Sequence, residues 1–142
     1  MSKTYEFHIQ NAVRSLKNGS GIIITDDETR ENEGDLIFAC NSLQEYQVAQ
    51  MIRDCSGIIC LVLDEEKAAN LNLPLMTKNN KSKNHTNFTI SIEAAENVTT
   101  GVSAKDRLTT ILTASKENST SEDIVSPGHI FPLISKISKS YY

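Results

Sequence analysis

Six acidic residues, Asp26, Asp27, Glu28, Glu31, Glu33 and Asp35, fall within ten positions of the chain, and Arg30 stands among them. Carboxylates crowded in this way repel one another, and water or a cation must offset the repulsion. Hard oxygen donors suit Mg²⁺ or Mn²⁺, ions that take one or two protein carboxylates and complete their shells with water and substrate oxygens. The planar fork of Arg30 can hold a phosphate or carboxylate beside such an ion. An EF-hand calcium loop needs Asp or Asn at alternate positions and a glutamate at the twelfth, and this spacing differs. The alternative is a solvated turn whose charges keep a sheet edge soluble.

A second candidate is His129, placed between Gly128 and the Pro-bounded apolar segment Ile130-Phe131-Pro132-Leu133. Histidine ordinarily titrates near pH ~6.5 and can relay protons, although a packed or capping histidine would also suit this setting. His8 and His85 fall in a helical pattern and a polar loop and read as surface residues. Cysteines at 40, 55 and 60 are odd in number and lack paired metal-ligand spacing, so reduced, packed cysteines are expected. Asp106 and Arg107 have the form of a charged pair at a helix start.

The elements that must carry these groups follow from periodicity. Ile9, Ala12, Val13 and Leu16 lie at helical spacing before the stop Asn18-Gly19, which predicts an amphipathic helix over 5–18. The β-branched run Gly21–Thr25 and the run Leu36–Cys40 predict two buried strands with the acidic loop between them. Ser42 with Glu45 has the form of a capping box for a helix ending near Asp54. A strand over Ile58–Leu63 follows, then a short helix capped by Asp64 and broken by Leu73-Pro74. Residues 77–87 are wholly polar, as in an exposed loop, and Phe88–Ile92 alternates as a half-buried strand does. Ser103 and Asp106 frame a helix with Leu108, Ile111 and Leu112 on its apolar face. Residues 127–133 read as turn chemistry around His129. Strands interleaved with helices argue for an α/β or α+β sandwich, with no repeat or linker dividing the chain.

Composition excludes several classes. With 14 basic and 18 acidic residues the net charge is −4, which supplies no general attraction for nucleic acid or anionic lipid. The longest apolar runs fall far short of the ~20 residues that cross a bilayer, and Met1-Ser2-Lys3-Thr4 leads into no apolar signal core. A cytoplasmic protein without nucleic-acid or membrane partners is expected.

The run Thr25-Asp26-Asp27-Glu28-Thr29-Arg30-Glu31-Asn32-Glu33-Gly34-Asp35-Leu36-Ile37 resembles, almost residue for residue, the signature of 3,4-dihydroxy-2-butanone 4-phosphate synthases of riboflavin biosynthesis. Ser56–Cys60, Thr99–Arg107 and Pro127–Leu133 resemble further segments of that family in the same order. The resemblance implies an α+β fold and a homodimeric, Mg²⁺- or Mn²⁺-dependent lyase that converts D-ribulose 5-phosphate to L-3,4-dihydroxy-2-butanone 4-phosphate and formate. It implies Glu31 as a metal ligand that also meets substrate, and Glu33 as a second-metal or water-mediated ligand. Arg30, Asp35 and Cys60 would be substrate contacts, and His129 the catalytic histidine. Beyond Leu133 the family continues into an Arg-x-Gly-His-Thr-Glu segment and a later glutamate, whereas this chain reads Ile134-Ser135-Lys136-Ile137-Ser138-Lys139-Ser140-Tyr141-Tyr142. The expectation is therefore one domain over 1–142 with its C-terminal part missing, exposed apolar surface, and impaired activity. The alternative is a non-catalytic remnant that binds sugar phosphate and Mg²⁺ or pairs with another subunit.

Overall fold

The computed structural model describes residues 3–135; Lys136–Tyr142, the tail from which a missing segment is expected, lies outside the described residues. Helix α1 (Lys3–Lys17) ends where Gly19 takes φ +75°, a left-handed conformation that glycine adopts without a Cβ penalty. Strands β1 (Ile22–Thr25) and β2 (Gly34–Ile37) form an antiparallel hairpin with Thr25 opposite Gly34, so the acidic loop is the hairpin's connection. A short 3₁₀ turn at Cys40–Ser42 leads to α2 (Glu45–Asp54). Then come β3 (Cys60–Leu63), α3 (Glu65–Asn70), β4 (Ile92–Ala94), α4 (Ala104–Ser115) and β5 (Ile124–Ile134).

The main sheet has the order β3-β5-β4, with β3 parallel and β4 antiparallel to the central β5. Strand β3 alternates outward Cys60 and Val62 with inward Leu61 and Leu63, as a half-covered strand must. Helix α4 packs on α2 and on β4 and β5, closing a core of Val48, Leu61, Ile92, Ile111, Ala114 and Ile130. The mixture of helices with two small sheets is the α+β arrangement.

Several expectations need correction. The strands beside the acidic loop are not buried: Ile23 is 71% and Ile24 51% exposed, because among the described residues β1 and β2 form a two-stranded sheet with no third strand. The box opening α2 is made by Gln44 and Gln47, whose side chains exchange bonds with each other's backbone; Ser42 instead ends the 3₁₀ turn. Residues 127–133 are strand, not turn. Pro127 stands opposite an irregularity in β4 between Ile92 and Glu93, where the ladder is already interrupted. Phe131 and Ser135 donate to Ile59 O and Leu63 O on the β3 side, so Pro132, facing the other way, forfeits no bond to β3. Cys60 lies on the outward face of β3 and Cys55 is exposed, so neither is a packed cysteine, whereas Cys40 at the 3₁₀ turn is partly buried against the core. Among the described residues no helix is long and apolar enough to cross a membrane.

Candidate active site

Asp26, at the end of β1, organises the acidic loop. Its Oδ1 accepts from the Glu33 N–H at 2.8 Å, and its Oδ2 from the Glu31 N–H at 2.9 Å and Arg30 Nη1 at 2.8 Å. These donors, the Glu33 N–H foremost, hold the Asp26 carboxyl below the ordinary carboxylate range. Asp27 accepts from the hydroxyl of Thr29 at 2.5 Å and from its N–H at 2.8 Å, and is held low for that reason. Asn32, between the two anchored amides, takes φ 54°, a left-handed conformation that asparagine tolerates. Two of the six acids are thus consumed in shaping the loop.

The remaining acids are displayed. Glu31 pairs with Arg30 Nη2 at 3.1 Å and accepts from Asn84 Nδ2. The carboxylates of Glu33 and Asp35 enter no hydrogen bond or ion pair among the described residues, and both residues are exposed. Asn84 belongs to the polar loop 77–87, so that loop folds back to the acidic one. Between them lies an open groove of about 480 Å³ bounded by Glu31, Leu75, Lys78, Lys81 and Phe88.

Asp35 also reaches toward β3. Cys60 is exposed as a residue, yet crowding around its sulfur first, and the Asp35 charge second, push its thiol above the ordinary value of 9.0. Cys60 pairs in register with Phe131, two residues beyond His129 on β5.

His129 has its own support. Its Nδ1 contacts Glu93 Oε1 across the β4–β5 ladder, with the histidine side chain 44% and the glutamate 16% exposed. Gly101, at φ +80°, leaves the space in which the Glu93 carboxylate rests; a Cβ there would fall 1.6 Å from Oε1. Gly101 is held by Asp106, which is 3% exposed and accepts from Thr99 Oγ1 at 2.7 Å, Gly101 N at 3.0 Å and Thr99 N at 3.2 Å. The Thr99 hydroxyl, first among these donors, keeps the Asp106 carboxyl below its ordinary range. Arg107 donates through Nη1 to Gly57 O at 2.8 Å and through Nε to Val102 O at 3.0 Å, tying α4 to the turn before β3.

The structure thus brings Arg30, Glu31 and Glu33 onto one loop with Asp35 just inside β2, leaves Cys60 within reach of the Asp35 charge, and sets His129 on the strand that pairs with β3. It does not gather three metal-ligating side chains at one point among the described residues. Sequence reasoning missed Asp26 as organiser, Asn84 as the partner of Glu31, and Glu93 as the partner of His129. Only the last left a trace: Glu93 continues the alternation of Phe88–Ile92 into the strand that pairs with β5.

Residues 10–139 match the family model of 3,4-dihydroxy-2-butanone 4-phosphate synthase. The chain is 57% identical over 125 residues to the synthase of Desulforamulus reducens, covering 88% of this chain and 58% of that one. To the synthase of Vibrio harveyi it is 58% identical over 128 residues, covering 90% and 56%. It therefore spans somewhat over half the length of these relatives. A crystal structure of a 3,4-dihydroxy-2-butanone 4-phosphate synthase in complex with two magnesium ions superposes with TM-score 0.88 at 36% identity, over 91% of this chain and 60% of that one. A two-domain synthase from A. baumannii gives 0.85 at 38% identity, over 90% and 38%. With its acidic hairpin, its three-stranded sheet and nearly its whole described length aligned to these enzymes, the chain belongs to the 3,4-dihydroxy-2-butanone 4-phosphate synthase family.

Proposed function

We propose that this chain, as a single cytoplasmic domain and in a homodimer, binds D-ribulose 5-phosphate with Mg²⁺ or Mn²⁺ for conversion to L-3,4-dihydroxy-2-butanone 4-phosphate and formate. The observation that carries this reading is the division of labour in the acidic loop. Asp26 and Asp27 are spent on shape, while Glu31, Glu33 and Asp35 remain on display beside Arg30.

The donor set fits the metal. Two exposed carboxylates from Glu31 and Glu33 are what an octahedral hard cation asks of a protein when water and substrate oxygens complete its shell. When bound, the ion would stabilise negative charge developing on the sugar oxygens. Glu31 and Glu33 would hold it, and a site of so few protein ligands agrees with the absence of a three-ligand cluster among the described residues. Arg30 keeps donors for a phosphate or hydroxyl on the groove side, and its pairing with Asp26 fixes the fork. Asp35 and Cys60 would meet the sugar between the loop and β3. His129 would take and return protons as the ketose is enolised, loses water and rearranges carbon before formate leaves.

Calorimetric titration of the chain with D-ribulose 5-phosphate, with and without Mg²⁺, tests the proposal. Mg²⁺-dependent binding that is lost in Glu31→Gln is expected, and absence of any Mg²⁺-dependent binding overturns it. Formate release from the same 142-residue polypeptide separates binding from turnover.

A further inference from the structure

The site reading gives Glu93 no part, yet Glu93 is the only described side chain bonded to His129. It lies in the middle of β4, is 16% exposed at the side chain, and rests against a glycine that any larger residue would turn into an obstacle. The glycine is held from behind by Asp106, whose Oδ2 accepts from the Gly101 and Thr99 N–H groups. This chain of contacts, Asp106 to Gly101 to Glu93 to His129, runs from a buried helix start to a half-exposed ring. An imidazole has one proton to place in its neutral form, and a carboxylate can only accept.

We propose that Glu93 is a positioning residue that fixes His129 in the Nδ1–H tautomer, donating to Glu93 Oε1 and leaving the Nε2 lone pair outward to act on substrate. The physical logic is that of any oriented catalytic histidine: the partner on one nitrogen decides what the other nitrogen can do. Without a partner the ring would divide between tautomers and rotate, so only part of the population would present a base in the needed direction. Gly101 is required because the carboxylate occupies the volume of its missing Cβ. Asp106 is required one step further back, because it holds the turn that places Gly101.

The inference rests on the proposed synthase reading for its purpose, but the tautomer can be read without substrate or metal. Long-range ¹⁵N–¹H correlation on the labelled chain, at a pH where the ring is neutral, distinguishes a protonated Nδ1 from a protonated Nε2. The wild-type spectrum should show His129 with Nδ1 protonated and Nε2 bare, while His8, whose ring has no hydrogen-bond partner among the described residues, shows the opposite preference of free imidazole; His85, whose Nδ1 faces Asn80 O at 3.2 Å, serves as a second Nδ1–H reference. Glu93→Leu should return His129 to that free pattern, and Glu93→Asp, which keeps an acceptor, should retain part of the Nδ1–H form. A wild-type His129 with Nε2–H as its main form overturns the inference even if the variants fail to fold. A Glu93→Leu spectrum unchanged from wild type overturns it as well. If the tautomer is as stated but ribulose 5-phosphate does not bind, the synthase reading fails alone; binding with the wrong tautomer fails the Glu93 inference alone.

Discussion

Replacing Gly128 by alanine puts the β4–β5 crossing to a quantitative test. Gly128 has no left-handed backbone requirement, so the issue is space alone. An added Cβ would fall 2.1 Å from Ile92 C and O and 2.5 Å from Glu93 N, against a floor of 3.0 Å for real contacts. All three obstacles are backbone atoms of the neighbouring strand, and no rotamer change can clear them. The strands must part by about 1 Å at the irregularity that Ser91 holds by accepting from Gly128 N at 3.1 Å, while its own carbonyl accepts from Ser126 Oγ at 2.7 Å. Overpacking of this kind costs about 1–3 kcal/mol, and the stiffer unfolded chain returns about 0.4–1 kcal/mol. A net loss of about 1.3 kcal/mol is expected, which lowers the urea midpoint by about 0.6 M for an m-value near 2 kcal/mol/M. Gly34→Ala is the control, since its Cβ would meet only Ile23 Cγ2 at 3.4 Å and Thr25 Cγ2 at 3.7 Å. That variant should be neutral or up to about 1 kcal/mol more stable. Urea unfolding of Gly128→Ala within about 0.5 kcal/mol of wild type would refute the claim that the strands touch here.

Three further outcomes are expected. Asp26 has its folded pKa below the ordinary 3.8, so the order it gives the acidic loop is complete above that value and fades as pH falls through the lower folded value. Amide exchange at Glu31 and Glu33 should follow this course, and Asp26→Asn should weaken Mg²⁺ binding about 10–100-fold by isothermal titration, as loss of a supporting partner does. Asp35→Asn should bring the Cys60 thiol back toward its ordinary range and speed its alkylation by iodoacetamide at pH 7, since Asp35 is the secondary cause of the upward shift after burial; an unchanged rate would separate the hairpin from β3. Lys67 Nζ donates to the Lys116 and Glu117 carbonyls, the first contact the shorter and the second 3.1 Å, at the end of α4. Lys67→Met should cost about 1 kcal/mol in urea unfolding, through lost hydrogen bonds and a lost positive charge at a helix C-terminus.

Much of the site was legible because its residues are local in sequence. Arg30, Glu31, Glu33 and Asp35 need only one short connection between strands to stand together, and the two apolar runs announced the strands on either side of it. Which side of the hairpin has a cover is a long-range fact, so runs rich in isoleucine were read as buried although Ile23 and Ile24 face out. Asp26 was counted as one more carboxylate because spacing cannot tell a ligand from an acceptor of backbone N–H groups. Prolines made 127–133 look like a turn, and only pairing shows that Pro132, opposite Leu61, has its nitrogen turned away from β3 and that Pro127 stands at an interruption. Glu93 was invisible as a partner of His129 because 36 residues separate them. The helix start at Ser103 was legible since its hydroxyl accepts from Asp106 N three residues on, a purely local signal.

The place of β5 in the sheet bears on the order in which the molecule can be made. Among the described residues Ile124–Ile134 is the latest strand and the middle one of its sheet, so β3 and β4 have no partner in that sheet until it exists. During synthesis from the amino terminus, the β1–β2 hairpin can close on its own as soon as it leaves the ribosome, because its contacts are local. The main sheet must wait with its apolar strands in the care of water or chaperones, and the joining of His129 to Glu93 comes only with the same stretch of chain that completes the sheet.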